Sequence, residues 1–383
     1  MTRQEVIQKA IEKKITWLQA ADICGITVRH MGRLRERFQQ LGIEGLRDGR
    51  TGKPQPRRIA LKVEEELCRL KRDVYPDFSV RHFYEFATER HGIAISETWT
   101  RLVLQKHGLV IKVPRRGKHR RKRERRPMRG MLLHLDASTH TWIAGLPMRD
   151  LVVMLDDADG RILYVRLVEQ EGTISTLEAL MHVLLRFGRF CEFYTDRGSH
   201  FCRTSKAGQA PDEEQRGQVT RVLKALGIRH ILARSPEARG RSERAFETIQ
   251  GRLPQELRVA GITDFEAANR YLDEHFVADF NRRFSVEPAQ AESAFTLLAG
   301  VDLQLLVSVH HERTVQKDNT VLLEGLHLQL PKSRERIHFV RCPVIVHEFL
   351  DGNLGVSYQG HLLARFSRDG QLLELRRKRR KAA

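Results

Sequence analysis

Between residues 112 and 130 the chain carries eleven Lys/Arg, one Glu, and Pro114, Gly117 and Pro127. Such a stretch repels itself and has no apolar face to bury, so it cannot belong to a core. It divides the 383-residue chain into at least two bodies joined by a segment that needs a polyanion. Its net charge is +10, and a second run from Arg376 to Lys381 adds +6. Of the formal net charge of +19, only +3 is left for everything else. Nearly neutral domains with two concentrated basic segments point to phosphate, and so to nucleic acid. The 41% hydrophobic content is enough to bury cores, and the length suits two to four domains. No run approaches the ~18–20 apolar residues of a membrane span. The start, Met1 to Glu5, is polar and no apolar stretch follows, so no secretory signal is expected. Cys24, Cys68, Cys191, Cys202 and Cys342 include no C-x-x-C pair. This favours neither a disulfide framework nor a zinc ribbon, and fits a reducing compartment.

Residues 1–48 read as a helix-turn-helix domain. Thr16 is a candidate N-cap for a helix carrying Trp17, Ala20, Ala21 and Cys24 at helical spacing, and Gly25 ends it. Thr27 opens a second helix to about Phe38, whose Arg29, His30, Arg33, Arg35 and Arg37 suit a major-groove recognition helix. Arg50 and Lys53 lie in a Gly/Pro/basic linker able to track a DNA backbone. Residues 58–111 read as a second, winged-helix-like helix-turn-helix domain, with Ser96 capping its last helix. In the basic linker 112–130 the expected phosphate contacts are Arg115, Arg116, Lys118, Arg120, Arg121, Lys122 and Arg123.

Beyond Gly130 the pattern changes. Three apolar runs, at 131–136, 151–155 and 162–168, form a meander with a hairpin turn at Asp157–Gly160. Short strands at 191–196 and 230–232 then alternate with helices, the last running from Gly240 to about Leu257, with Pro254 expected to kink or end it after Leu253. The fold class expected for 131–290 is an α/β core on a mixed five-stranded sheet. Residues 305–375 alternate apolar and polar residues between Gly/Asn/Asp turns and suggest a small β-barrel, followed by the basic tail 376–383.

Asp136 sits on the first strand, Asp196 sits at the end of the fourth, and Glu243 sits in the first turn of the long helix. A carboxylate at the end of a buried strand is costly unless it is paired or binds a cation. Converging carboxylates suit Mg²⁺, and a pair of such ions can serve in-line phosphoryl transfer. Asp156, Asp157 and Asp159 read as hairpin residues, and Glu247, one turn after Glu243, is the competing third acid. Arg239, Arg241 and Arg244 cluster around Glu243 and read as DNA-backbone contacts.

Leu135-Asp136, the block Thr195-Asp196-Arg197-Gly198-Ser199 and the block from Ser235 to Arg244 together resemble the catalytic core of DDE transposases and retroviral integrases. Phe280 to Phe284, followed by Glu287-Pro288, resembles the segment that closes that core. The whole chain resembles bacterial insertion-sequence transposases. The resemblance implies an RNase H-like fold for the core, with Asp136, Asp196 and Glu243 as catalytic metal ligands. It implies two Mg²⁺ ions per site, with Mn²⁺ as a substitute. It further implies 3′-end cleavage at terminal inverted repeats and strand transfer into target DNA. The partners implied are double-stranded DNA and further copies of the chain on that DNA, with no membrane, in a cytoplasmic, nucleoid-associated setting. One departure is the 47-position gap between the second and third acids, which a polar loop at roughly 203–218 lengthens. Two other readings stay open: a binding-only DNA protein, and a nuclease of the same fold.

Overall fold

The computed structural model describes residues 3–46, 59–112, 124–198, 201–203, 212–233, 240–332 and 336–373. The chain forms two compact units, Met1–Leu67 and Cys68–Ala383. The first holds helices α1 (Arg3–Ile11), α2 (Trp17–Ile23) and α3 (Val28–Leu41), then a 3₁₀ turn, Gly42–Leu46. The capping expected from the sequence is present. Gln19 N donates to Thr16 Oγ1 while Thr16 N donates to Gln19 Oε1, a reciprocal box. His30 N donates to Thr27 Oγ1, and Gly25 makes the turn between α2 and α3 at φ +60°. Val6, Ile7, Ala10, Ala20, Ala21, Met31 and Leu34 form this unit's core.

Helix α4 (Leu61–Asp73) crosses the boundary between the units, and α5 (Val80–His91) and α6 (Glu97–Lys106) follow. Ser96 caps α6 by accepting from Trp99 N. The buried Lys71 ammonium donates to the carbonyls of Tyr75, Pro76 and Phe78, which ties the α4–α5 loop.

The core opens with β1 (Leu132–His140), β2 (Arg149–Asp156) and β3 (Ile162–Val168), an antiparallel meander. Helix α7 (Thr173–Arg186) crosses to β4 (Glu192–Thr195), parallel to β1. A ribbon, β5 (Cys202–Arg203) with β6 (Asp212–Arg216), precedes α8 (Gln218–Ala225) and β7 (Arg229–Leu232), which is parallel to β4. The sheet order is β3-β2-β1-β4-β7, the mixed five-stranded sheet expected. One face packs on α7 and α8 through Leu133, Leu135, Phe193, Leu180 and Val222. The other packs on α9 (Gly240–Gln250), α10 (Leu253–Val259), α11 (Phe265–Tyr271) and α12 (Val277–Phe284) through Val153, Val165, Phe246, Ile249 and Phe280. A π-helical stretch, Leu272–Phe276, joins α11 to α12. Each large side chain buried here is worth roughly 1.5–3 kcal/mol.

The single long helix expected from Gly240 to Leu257 is two helices. The first ends at Gln250, and Pro254 stands in the first turn of α10. Proline is tolerated there because that turn's N–H groups have no intrahelical acceptor. Asn269 and Asn281 cover the outer edge of β3. Asn269 accepts from Leu167 N and donates to Leu167 O, and Asn281 does the same at Ile162.

Helix α5 is joined to α10 and α12 by buried charge. Glu85 takes Arg252 at 2.7 Å and Arg283 at 3.1 Å, and His82 Nε2 lies 3.1 Å from Glu256. The helical block from Cys68 onward thus shares one unit with the core.

The last part holds α13 (Leu303–Leu306), β8 (Val309–Thr314), β9 (Thr320–Leu323), β10 (Leu326–Gln329), β11 (Pro343–Glu348), β12 (Leu354–Tyr358), β13 (His361–Phe366) and β14 (Leu372–Leu373). The small barrel expected here is instead an open sheet, β14-β13-β12-β11-β8, with a separate β9–β10 hairpin. Alternating apolar residues record that strands have a buried face; closure depends on pairing between the first and last strands, which alternation does not encode.

Candidate active site and nucleic-acid interface

In the first unit, Arg29, His30, Arg33 and Arg37 are all exposed on α3. At 100° per residue they fall within one arc of about 100°, a single basic stripe. Met31 and Leu34 fall outside that arc and point into the core. Arg35 is off the stripe: its guanidinium lies over the Trp17 ring, 5.4 Å from the centroid. Arg50, Lys53, Arg115, Arg116, Lys118, Arg120, Arg121, Lys122, Arg123 and Arg239 lie outside the described residues.

In the core, β1 and β4 pair in parallel with Leu132 opposite Glu192, Leu133 opposite Phe193 and His134 opposite Tyr194. Two residues further on, the same offset carries Asp136 alongside Asp196. Alternation sends Leu133 and Leu135 toward α7 and α8, and so turns His134, Asp136 and Ser138 toward the α9 face. On β4, Phe193 faces α7 and α8 while the Tyr194 ring meets His134, so Asp196 shares the face of Asp136. Both aspartates are half-buried. Asp136 Oδ1 accepts from Ala137 N, and Asp196 Oδ1 accepts from Gly198 N at the strand's exit.

Glu243 is exposed in the first turn of α9. The helix lies over β1, and Gln250 donates to Ser138 Oγ at 2.7 Å. Seven residues are almost two full turns, so Glu243 and Gln250 share one flank of α9. Glu243 is therefore set back from Gln250 by ~10 Å along the helix, and Asp136 from Ser138 by ~7 Å along the strand. The donor set is all carboxylate oxygen, which fits a hard cation such as Mg²⁺. Among the described residues, however, no three His, Cys, Asp or Glu side chains close into a metal-holding group. Glu247 is exposed one turn after Glu243.

The Asp156–Gly160 turn carries a network that the sequence did not announce. Asp156, Asp157 and Asp159 are all buried. Asp156 accepts from Gly130 N and Ala158 N. Burial, reinforced by the charges of Asp159 and Asp157, raises its pKa to about 6. Asp159 pairs with Arg129 at 2.6 Å. Asp157 receives His134 Nε2 at 2.9 Å, Arg126 N at 2.8 Å and Arg241 Nη1 at 2.8 Å. Burial works to raise the Asp157 carboxyl, but the His134 hydrogen bond, the Arg126 N–H and the charges of His134 and Arg241 hold it below its ordinary value. Arg126 also reaches Glu192 at 2.6 Å, and Arg125 donates to Asp157 O. The carboxyl-terminal end of the basic segment is thus engaged with protein acids. Arg241 is half-buried against Asp157, whereas Arg244 is exposed. The one signal available was the matching of Arg125, Arg126 and Arg129 with three closely spaced aspartates some thirty residues later.

An exposed basic stripe on the second helix of a helix-turn-helix, and two carboxylates side by side on one face of adjacent parallel strands, equip a protein to work on DNA. Residues 2–54 match the model of a helix-turn-helix domain family. The chain is 30% identical over 370 residues to a Sinorhizobium fredii protein named as a transposase, covering 95% of this chain and 79% of that one. It is 26% identical over 319 residues to the transposase for insertion sequence IS1202 of Streptococcus pneumoniae, covering 74% and 68%. Among solved structures it is similar to the HTLV-2 integrase catalytic core domain in complex with magnesium, at 17% identity and TM-score 0.29, covering 38% and 85%. It is also similar to a chain of the simian T-cell lymphotropic virus intasome, at 14% identity and TM-score 0.34, covering 74% and 95%. The chain belongs to the insertion-sequence transposases. Among the described residues no helix is long and apolar enough to cross a membrane.

Proposed function

We propose that this transposase recognises the terminal repeats of its own mobile element through the basic stripe of α3, cleaves their 3′ ends and joins them to target DNA at Asp136, Asp196 and Glu243. The observation that carries the reading is the parallel register of β1 and β4, which brings two sequence-distant aspartates to one face beneath α9. The three carboxylates would hold two Mg²⁺ ions, with Mn²⁺ as a substitute. Bound there, the metal supplies Lewis acidity to phosphodiester oxygens and lowers the pKa of an attacking water. The chain's own part is to present half-buried carboxylates on one face of the sheet, midway along β1 and just past the end of β4, where their geometry costs little to maintain during reaction. Arg244, exposed one residue after Glu243, is proposed to hold the DNA backbone. The basic segment and tail would add affinity that is independent of sequence. Cleaving and joining paired ends calls for at least two copies of the chain on DNA, and duplex DNA places the work at the nucleoid.

The test uses duplex DNA from both flanks of the protein's own gene, with Mg²⁺ or EDTA, mapping breaks and joins by sequencing. Metal-dependent 3′ nicks and joined products are expected. Asp136→Asn, Asp196→Asn and Glu243→Gln should each lower both steps by roughly 100-fold or more while DNA binding persists. The exposure of Glu243 favours a second reading, a binding-only DNA protein. Specific binding without any cleavage by the wild-type chain would select it.

A further inference from the structure

Helix α9 carries the proposed third carboxylate, yet its apolar face does not by itself determine where that carboxylate stands. Phe246 and Ile249 fix how closely the helix approaches the sheet. Apolar contacts are non-directional and resist sliding or rotation of the helix weakly. Hydrogen bonds and ion pairs are directional, and α9 has one at each end. At its carboxyl end Gln250 holds Ser138 on β1. At its amino end Arg241 Nη1 holds Asp157 twice, at the carboxylate (2.8 Å) and at the carbonyl (2.7 Å). Asp157 is itself held by several partners: its carboxylate is fully buried and also takes His134 from β1 and the Arg126 N–H. Glu243 is two residues from Arg241, within the same helical turn.

We propose that Asp157 is a positioning residue for the transposition reaction, holding the first turn of α9 through Arg241 so that Glu243 stands over Asp136 and Asp196. This rests on the reading of Glu243 as a working carboxylate. It assigns a task to an acid of the hairpin turn that the three-carboxylate scheme leaves unused. It also removes Arg241 from the DNA-contacting set. Because Asp157 also holds the backbone of Arg126, the end of the basic segment and the start of α9 are anchored at one carboxylate.

The experiment pairs hydrogen–deuterium exchange of the full chain with cleavage of the flank duplex in Mg²⁺. The variants are Asp157→Asn, Arg241→Ala and Arg241→Lys. Exchange over residues 240–246 is expected to rise about tenfold in Asp157→Asn and Arg241→Ala, with β1 and β4 unchanged. Cleavage at saturating DNA should fall about 10–100-fold, the range for loss of a group that orients a working ligand. Affinity for the duplex should stay the same, and Arg241→Lys should recover most of both effects. Arg241→Ala keeps the test decisive where Asp157→Asn disturbs folding. Unchanged exchange at 240–246 in Arg241→Ala, or lost DNA affinity with cleavage at saturation intact, would overturn the proposal. A wild-type chain that binds but never cleaves would instead defeat the transposase reading, while the exchange data still decide whether the tie exists.

Discussion

His347 sits inside the carboxyl-terminal sheet, 3% exposed, with Nδ1 2.9 Å from Ser308 Oγ and Nε2 2.7 Å from Ser357 Oγ. A neutral imidazole serves both hydroxyls, donating at one nitrogen and accepting at the other. Burial, then the neighbouring His310, push its pKa down to about 4. The folded value lies below the unfolded one, so as pH falls the unfolded chain takes the proton first. The contribution of His347 is complete above about pH 6.5 and is lost as pH falls toward 4, amounting to about 3 kcal/mol. The rise of melting temperature with pH between 4.5 and 6.5 should therefore be less steep in His347→Gln than in the wild type. Asp156 acts in the opposite sense in an overlapping window. Its pKa is raised to about 6, so its burial costs stability as pH rises from about 4 through 6. A variant whose slope equals that of the wild type would show that the imidazole is not held neutral.

Helix α3 separates two arginines that the sequence alone grouped together. Arg33 lies on the exposed stripe and Arg35 covers Trp17. Arg33→Ala should weaken binding to the element's end by about 1–3 kcal/mol if it reads a base edge, and should relax specificity at that position. Arg35→Ala should leave the base preference unchanged and cost about 0.5–1 kcal/mol of folding stability. Measuring affinity on matched and mismatched ends, beside thermal melts, distinguishes the two. What was legible at this scale was short-range. Thr16, Thr27 and Ser96 cap where expected, because a cap engages only N–H groups two or three residues onward. The strands carrying Asp136 and Asp196 were legible as apolar runs, although β1 continues past Asp136 to His140. The partners of Arg241 and Glu85 were not, since an ion pair between elements some 85 to 200 residues apart leaves no periodic mark. The break in the helix after Gln250 was misplaced because a proline signals a helix start as readily as an end.

Across the whole molecule, part of the charge of the basic segments is engaged with acids of the protein. Arg125, Arg126 and Arg129 are engaged with Asp157, Glu192 and Asp159, whereas the six Lys/Arg of 376–381 have no acidic neighbours in sequence after Glu374. Deleting residues 376–383 should reduce the slope of log affinity against log salt by up to about 5, with cleavage at saturating DNA preserved. An unchanged slope would mean that the tail meets no phosphate.

The asparagines on β3 have a consequence for how copies assemble. An outermost strand normally offers its backbone as a template on which another chain can continue the sheet. At Ile162 and Leu167 that template is already answered by amides from α11 and α12. The β3 side of the sheet is therefore closed to growth by strand addition. Copies brought together on one DNA, as proposed, would have to meet on this side through side chains or through the nucleic acid itself, and such a contact can come apart again without unzipping a shared sheet.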